Sequence, residues 1–158
     1  MNERVNHNEY FYDIACAVAS RGTCLRRIYG SVIVRDGSIL STGYCGSPRG
    51  AANCCEVGSC RRDEAGALPG ERYELCVSVH SEMNAVINAA RNGVSVVGGK
   101  LYLYGWDCHK KVDTVDIVPC KLCSRVLVNA GIVEVIYNGA DGFKSLFVDD
   151  LLRLGEAI

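Results

Sequence analysis

The sequence predicts an α/β fold, a three-layer α/β/α sandwich with a mixed central sheet. Three observations carry this. Helix-like and strand-like segments alternate in the order helix, hairpin, helix, strand, helix, strand, helix, which calls for a sheet between helical layers. Two strand-like runs flank Arg35-Asp36-Gly37, a hairpin signal because glycine readily takes positive φ. The 158 residues amount to one ordinary domain, 1–158, long enough to bury a core without disulfides.

In chain order, residues 9–19 read as a helix with Ile14, Ala17 and Val18 on a buried stripe and Cys16 in the core. Residues 29–34 and 38–43 read as the hairpin strands. Residues 43–74 are rich in Gly, Cys, Arg and acid and show no period; a loop of that length is usually functional or tied down by a ligand. Residues 80–91 read as a helix with Met83, Val86, Ile87 and Ala90 on one face, stopped at Asn92-Gly93. Residues 100–104 read as a strand and 105–118 as a polar loop. A helix over 120–130 is opened by Pro119 and stopped by Gly131. An apolar strand over 132–137 and a helix over 146–154 follow. No repeat, low-complexity tract or interdomain linker interrupts this order.

Composition excludes several classes. Apolar residues make up 49% and charged residues 22%, as in a globular chain. No run of eighteen apolar residues predicts a membrane span. The net charge of −1 provides no footprint for long nucleic acid, although one or two arginines suffice for a small anion. The N-terminal MNERVNHNEYFYD lacks the basic start and apolar core of a signal peptide. Ten cysteines without such a signal point to the reducing cytoplasm, where cysteine serves as metal ligand, nucleophile or small core residue.

Two short motifs carry the chemistry: His80-Ser81-Glu82 and Pro119-Cys120-Lys121-Leu122-Cys123, each at a helix start. Unpaired N–H groups and partial positive charge there favour thiolate. A Cys-x-x-Cys turn brings both sulfurs within tetrahedral reach of one zinc, and His80 supplies a third ligand. Three protein ligands leave one position for water, the mark of a catalytic zinc. Glu82 lies one helical turn or less from His80, beside the metal without being a ligand, as a proton shuttle requires. Alone, Cys-x-x-Cys also fits a redox pair or half a structural zinc site, and His-x-Glu means little. A purely structural zinc has no use for the carboxylate.

The order His-x-Glu, then Pro-Cys-x-x-Cys, resembles the signature of zinc nucleobase deaminases. VHSEMNAV, YGSVIVRDGSILSTGY and GYCGSPRG are similar to the motif helix, valine-rich hairpin and Gly-Tyr-Asn-Gly-x-Pro-x-Gly loop of the cytidine/deoxycytidylate deaminases, the deoxycytidylate enzymes above all. The resemblance spans residues 9–137 and implies a cytidine-deaminase-like fold and hydrolysis of a cytosine nucleotide, dCMP to dUMP and ammonia. It also implies a second, structural zinc over the 43–74 loop. Cys24, Cys54, Cys60 and Cys76 match that site by position, and Cys55 could replace Cys54. It places Arg26 near the substrate phosphate, Cys45 and Gly46 in the sugar-binding loop, Arg49 in the adjacent turn and Val118 in the base pocket. Homo-oligomers, commonly hexamers, are expected from the same likeness.

Two departures bear on substrate. Cys45 stands where the family has an asparagine that hydrogen-bonds a sugar hydroxyl, and a thiol is a poorer partner. The crossing to Pro-Cys at 105–118 is longer than usual and contains Cys108 and His109, which are either further metal ligands or solvated. A deaminase of another aminated heterocycle or modified nucleotide is therefore a second reading. A zinc-stabilised nucleotide-binding module is a third, non-enzymatic one. A tRNA-editing deaminase would need a basic surface that the charge balance does not provide.

Overall fold

A computed structural model describes residues 3–68 and 70–156. The expected span 1–158 therefore includes residues 1, 2, 69, 157 and 158, which lie outside the described residues. Helix α1 (His7–Ala19) leads to the hairpin β1 (Arg27–Arg35) and β2 (Ser38–Tyr44). Short helices α2 (Cys54–Val57) and α3 (Arg61–Glu64) and a 3₁₀ turn at Tyr73–Leu75 interrupt the next segment. Then come α4 (Ser81–Arg91), β3 (Lys100–Asp107), β4 (Val112–Asp113), α5 (Lys121–Asn129), β5 (Glu134–Gly139), β6 (Gly142–Phe147) and α6 (Val148–Glu156).

The sheet runs β2-β1-β3-β5-β6, with β4 added to the end of β3. Among the described strands only the β3/β5 pair is parallel, and α5 makes the crossover; the other ladders are antiparallel. The period of two along each strand divides the core. Val32, Val34, Tyr102, Tyr104 and Ile136 face α1, where Phe11, Ala15 and Ala19 cover them. Ile33, Leu101, Leu103, Val135 and Tyr137 face the other way, against Ala85, Ala89, Leu127 and Leu151 of α4, α5 and α6. This is the predicted three-layer sandwich with a mixed sheet. No described helix is long and apolar enough to cross a membrane.

The hairpin forms as predicted. Asp36 and Gly37 both take positive φ (51° and 73°), the two-residue turn that matches strand twist. Two other glycines set the interlayer distance. A Cβ on Gly30 would lie 2.1 Å from the Ala15 carbonyl oxygen, and one on Gly43 would lie 2.2 Å from the Ala85 nitrogen. The helices therefore rest directly on strand backbone.

That close approach explains where periodicity misled. The fully buried face of α1 is Phe11, Ala15 and Ala19, because only alanine fits over Gly30; of the expected stripe, Ile14 and Val18 pack partly buried against it, while Ala17 and Cys16 are exposed. The buried face of α4 is Ser81, Glu82, Ala85 and Ala89, while Ile87 and Ala90 are exposed. Polar residues of α4 are used on the edge strand: Asn84 donates to the Tyr44 carbonyl and Asn88 to the Thr42 carbonyl, both at 2.8 Å. A helix that caps a sheet edge needs such donors, and they obscure its apolar stripe.

Residues 105–118 are not a plain loop. Strand β3 continues to Asp107, turns, and returns as β4, with Trp106 opposite Asp113 and Asp107 opposite Val112. The Asp107 carboxylate accepts the His109 and Lys110 N–H groups, each at 3.0 Å, and so closes the turn. Strand β6 was not predicted either; as an edge strand it is mostly exposed and lacks an apolar signature.

Gly43→Ala should lower stability by about 1–3 kcal/mol through overpacking against α4. An unchanged urea midpoint would contradict the backbone-to-backbone contact.

Candidate active site

The sheet delivers two helix starts to one place. His80 is the N-cap of α4 and Cys120 the N-cap of α5, both in extended backbone. Val79 is fixed to Gly46 by two backbone hydrogen bonds, 2.8 and 3.2 Å, which aims the next residue. Fully buried Pro119 does the same for Cys120. The Cys120 sulfur accepts the Cys123 N–H at 3.5 Å, satisfying one orphan donor of α5. His80 Nδ1 then lies 3.4 Å from Cys120 Sγ and 3.4 Å from Cys123 Sγ.

These three ligand atoms lie within 4.8 Å of one another and form the sole such group among the described residues. Bond lengths of about 2.0 Å to nitrogen and 2.3 Å to sulfur place tetrahedral N···S edges near 3.6 Å. The observed 3.4 Å edges fit zinc, as does the donor set of one imidazole and two thiols. The same donors compete for protons. The Cys120 thiol is drawn down to about 4 by hydrogen bonds from Cys123 and His80. His80 is raised to about 10, chiefly by Cys120 and then Cys76. Cys123 is pushed up by its bond to Cys120 and by burial.

Glu82 is buried beside this triangle, and burial holds its carboxyl above the usual carboxylate range. It is not isolated. Ser31 donates to Ser81 Oγ at 2.8 Å, and Ser81 donates to Glu82 Oε2 at 3.1 Å. Both serines are fully buried, and they tie β1 to the first turn of α4. Sequence reasoning missed this pair. The signal available was two polar residues at positions that β1 and α4 bury.

His80 opens on a cavity of about 270 Å³. Tyr73 packs edge-on against the His80 ring at 5.3 Å. Arg26 and Cys45 line this cavity. The Cys45 thiol, pushed up to about 12 by burial, accepts the Tyr29 N–H at 3.3 Å and faces the Arg27 carbonyl at 3.7 Å. Its modest hydrogen-bonding capacity is thus turned towards β1.

Three expected contacts lie elsewhere. Arg49 sits in a separate groove over the outer face of α4 and donates to Asn88 Oδ1 at 2.7 Å, because the Ser-Pro-Arg-Gly turn folds away from the metal triangle. Gly46 lies in that same groove, its backbone spent on Val79. Val118 is 44% exposed and lines none of the cavity, since its neighbours Ile117 and Pro119 take the inward positions.

Cys24, Cys54, Cys60 and Cys76 all line the His80 cavity, whereas Cys55 is exposed and outside it. Burial raises the Cys54 thiol, and Cys24, Cys60 and Cys76 raise it further. The four do not approach one another as closely as the His80 triangle does. Cys108 donates to the Cys24 carbonyl at 3.6 Å and His109 lines the cavity, so the β3–β4 turn reaches this wall.

Residues 5–138 match the family described as the cytidine and deoxycytidylate deaminase zinc-binding region. The chain belongs to that family. It is 36% identical over 139 residues to the deoxycytidylate deaminase of Mycobacterium phage D29, a match covering 85% of this chain and 95% of the relative. It is 36% identical over 135 residues to that of Schizosaccharomyces pombe, where the same 85% spans 38% of the relative's length. The cyanophage S-TIM5 dCMP deaminase, solved with dCMP and dUMP, superposes with a TM-score of 0.65 at 25% identity, covering 98% of this chain and 96% of that one.

Ser81→Ala should destabilise the protein by about 1–3 kcal/mol, because it strips partners from two buried groups. The double variant Ser31→Ala/Ser81→Ala should cost less than the sum of the single changes in a denaturation cycle. Strict additivity would show that the two hydroxyls act independently.

Proposed function

We propose that this protein is a zinc-dependent deaminase that hydrolyses dCMP to dUMP and ammonia. The observation that carries the reading is the one-imidazole, two-thiol triangle with a buried carboxylate two residues from the imidazole. His80, Cys120 and Cys123 would hold the metal. Bound there, zinc supplies a water acidic enough to lose a proton near neutral pH. Glu82 accepts that proton. It passes that proton to the pyrimidine ring nitrogen, and then carries the proton of the newly formed hydroxyl to the departing amine. One C–O bond forms, the C–N bond breaks, and ammonia leaves. Ser81 engages one carboxylate oxygen and leaves the other for the transfers. Tyr73 steadies the imidazole from its edge.

Arg26 is the phosphate contact in this reading; the relatives named deoxycytidylate deaminase and the arginine's place in the cavity support it. Cys45 favours a second reading, a deaminase of another aminated heterocycle, because its thiol is committed to β1 and provides little to a sugar hydroxyl. Comparing dCMP with free bases and modified nucleosides separates the two, and Cys45→Asn should improve turnover only if the sugar contact matters.

Four cysteines around one cavity support a second zinc, held by Cys24, Cys54, Cys60 and Cys76 and coupled to folding. Ten unpaired cysteines support a reducing cytoplasm.

Glu82→Gln should retain zinc and lower dCMP turnover by at least about 10²-fold. Near wild-type release of ammonia would remove Glu82 as the shuttle. Elemental analysis should find about two zinc ions per chain. Cys54→Ser and Cys76→Ser should each lose one along with thermal stability, and Cys55→Ser should lose none. One zinc in the wild type would reject the second site.

A further inference from the structure

Resting on the reading of the site as a nucleotide deaminase, we infer that Arg62 is a specificity-determining residue that receives the phosphate of the substrate together with Arg26. The family match does not assign it. Arg62 belongs to α3, in the aperiodic 43–74 stretch, and its sequence context gives it no individual role.

The argument begins with unused donors. Arg26 Nη1 and Arg62 Nε are buried and have no hydrogen-bond partner among the described residues. Both residues line the cavity onto which His80 opens. An unpaired buried donor is costly, and two guanidinium groups on one cavity invite an acceptor with several oxygens.

The remaining atoms of each guanidinium are held. Arg26 Nε pairs with Asp63 at 3.2 Å, and its Nη2 lies 3.4 Å from the Ala67 carbonyl. Arg62 Nη2 donates to the Leu68 carbonyl at 3.2 Å. Backbone from one short segment thus orients both forks, which is what bidentate recognition of phosphate requires.

Charge points the same way. Among the cavity's arginines, Arg26 pairs with Asp63 and Arg27 with Asp107, and Arg61 and Arg62 form no salt bridge among the described residues. The cavity's arginines, Arg26, Arg27, Arg61 and Arg62, thus outnumber its carboxylates, Asp63 and Asp107.

Position supplies the length. The Arg62 guanidinium lies 4.7 Å from the Tyr73 ring centre, and that ring lies 5.3 Å from the His80 ring. Arg62, Tyr73 and His80 form a stack whose two ends hold the anion-binding group and the metal-binding group. A pyrimidine nucleotide has its amino carbon and its phosphate at opposite ends of a comparable span.

The test is the ratio of kcat/KM for dCMP to kcat/KM for deoxycytidine. Arg62→Ala should lower that ratio about tenfold to a hundredfold, the worth of a charge-assisted hydrogen bond. Arg62→Lys, which keeps charge but loses the fork, should fall between. Arg49→Ala, in the outer groove, should leave the ratio unchanged. A merely structural loss of the Tyr73 stack would depress both substrates and spare the ratio, and would overturn the inference. Calorimetry with inorganic phosphate separates the two levels of the account. A wild type inactive on dCMP that still binds phosphate through Arg62 would reject the reading of the reaction alone. A wild type active on dCMP whose ratio and phosphate binding ignore Arg62 would reject this inference alone.

Discussion

The meeting of two helix N-termini is the constraint on which the rest depends. His80 and Cys120 are each the last extended residue before a helix, and Nδ1 of the first stands 3.4 Å from the sulfurs of Cys120 and Cys123. No local preference brings those caps together. The sheet does, by placing β1 beside β3 and β3 parallel to β5, so that α4 and α5 lie side by side on one face. Gly43 permits α4 to rest on strand backbone, and the Gly46–Val79 bridge fixes the residue before the metal triangle and so aims His80.

A buried carboxylate is a cost that a stable core would avoid. Here the cost falls on Glu82, and the fold offsets part of it through two serine hydroxyls that reach back into β1. The same helix turn therefore serves packing and chemistry. Its first two residues are buried polar groups, and its next inward residues, Ala85 and Ala89, are among the smallest side chains in the core.

Much of this was legible in sequence, for a physical reason. The metal motif is local: spacing alone sets His80 near Glu82 and Cys120 near Cys123, and helix-start chemistry explains each. The alternation of helices and strands was equally plain. What escaped was non-local. Ala15, Ala19, Ser31 and Ser81 gain their meaning from backbone that approaches across layers. The β3–β4 hairpin escaped because its stability comes from Asp107 accepting two N–H groups and not from apolar side chains. Arg49 was sequence-adjacent to a recognised loop, yet the turn carries it outward; Arg62 sat in an aperiodic stretch and is carried inward.

Anomalous scattering at the zinc edge, recorded from crystals of the active protein, tests the central claim most directly. The account predicts a peak bonded to His80 Nδ1, Cys120 Sγ and Cys123 Sγ at about 2.0–2.3 Å, beside Glu82 but not ligated by it. An active enzyme with no peak at that triangle, or with Glu82 as a fourth protein ligand closing the site, would contradict it.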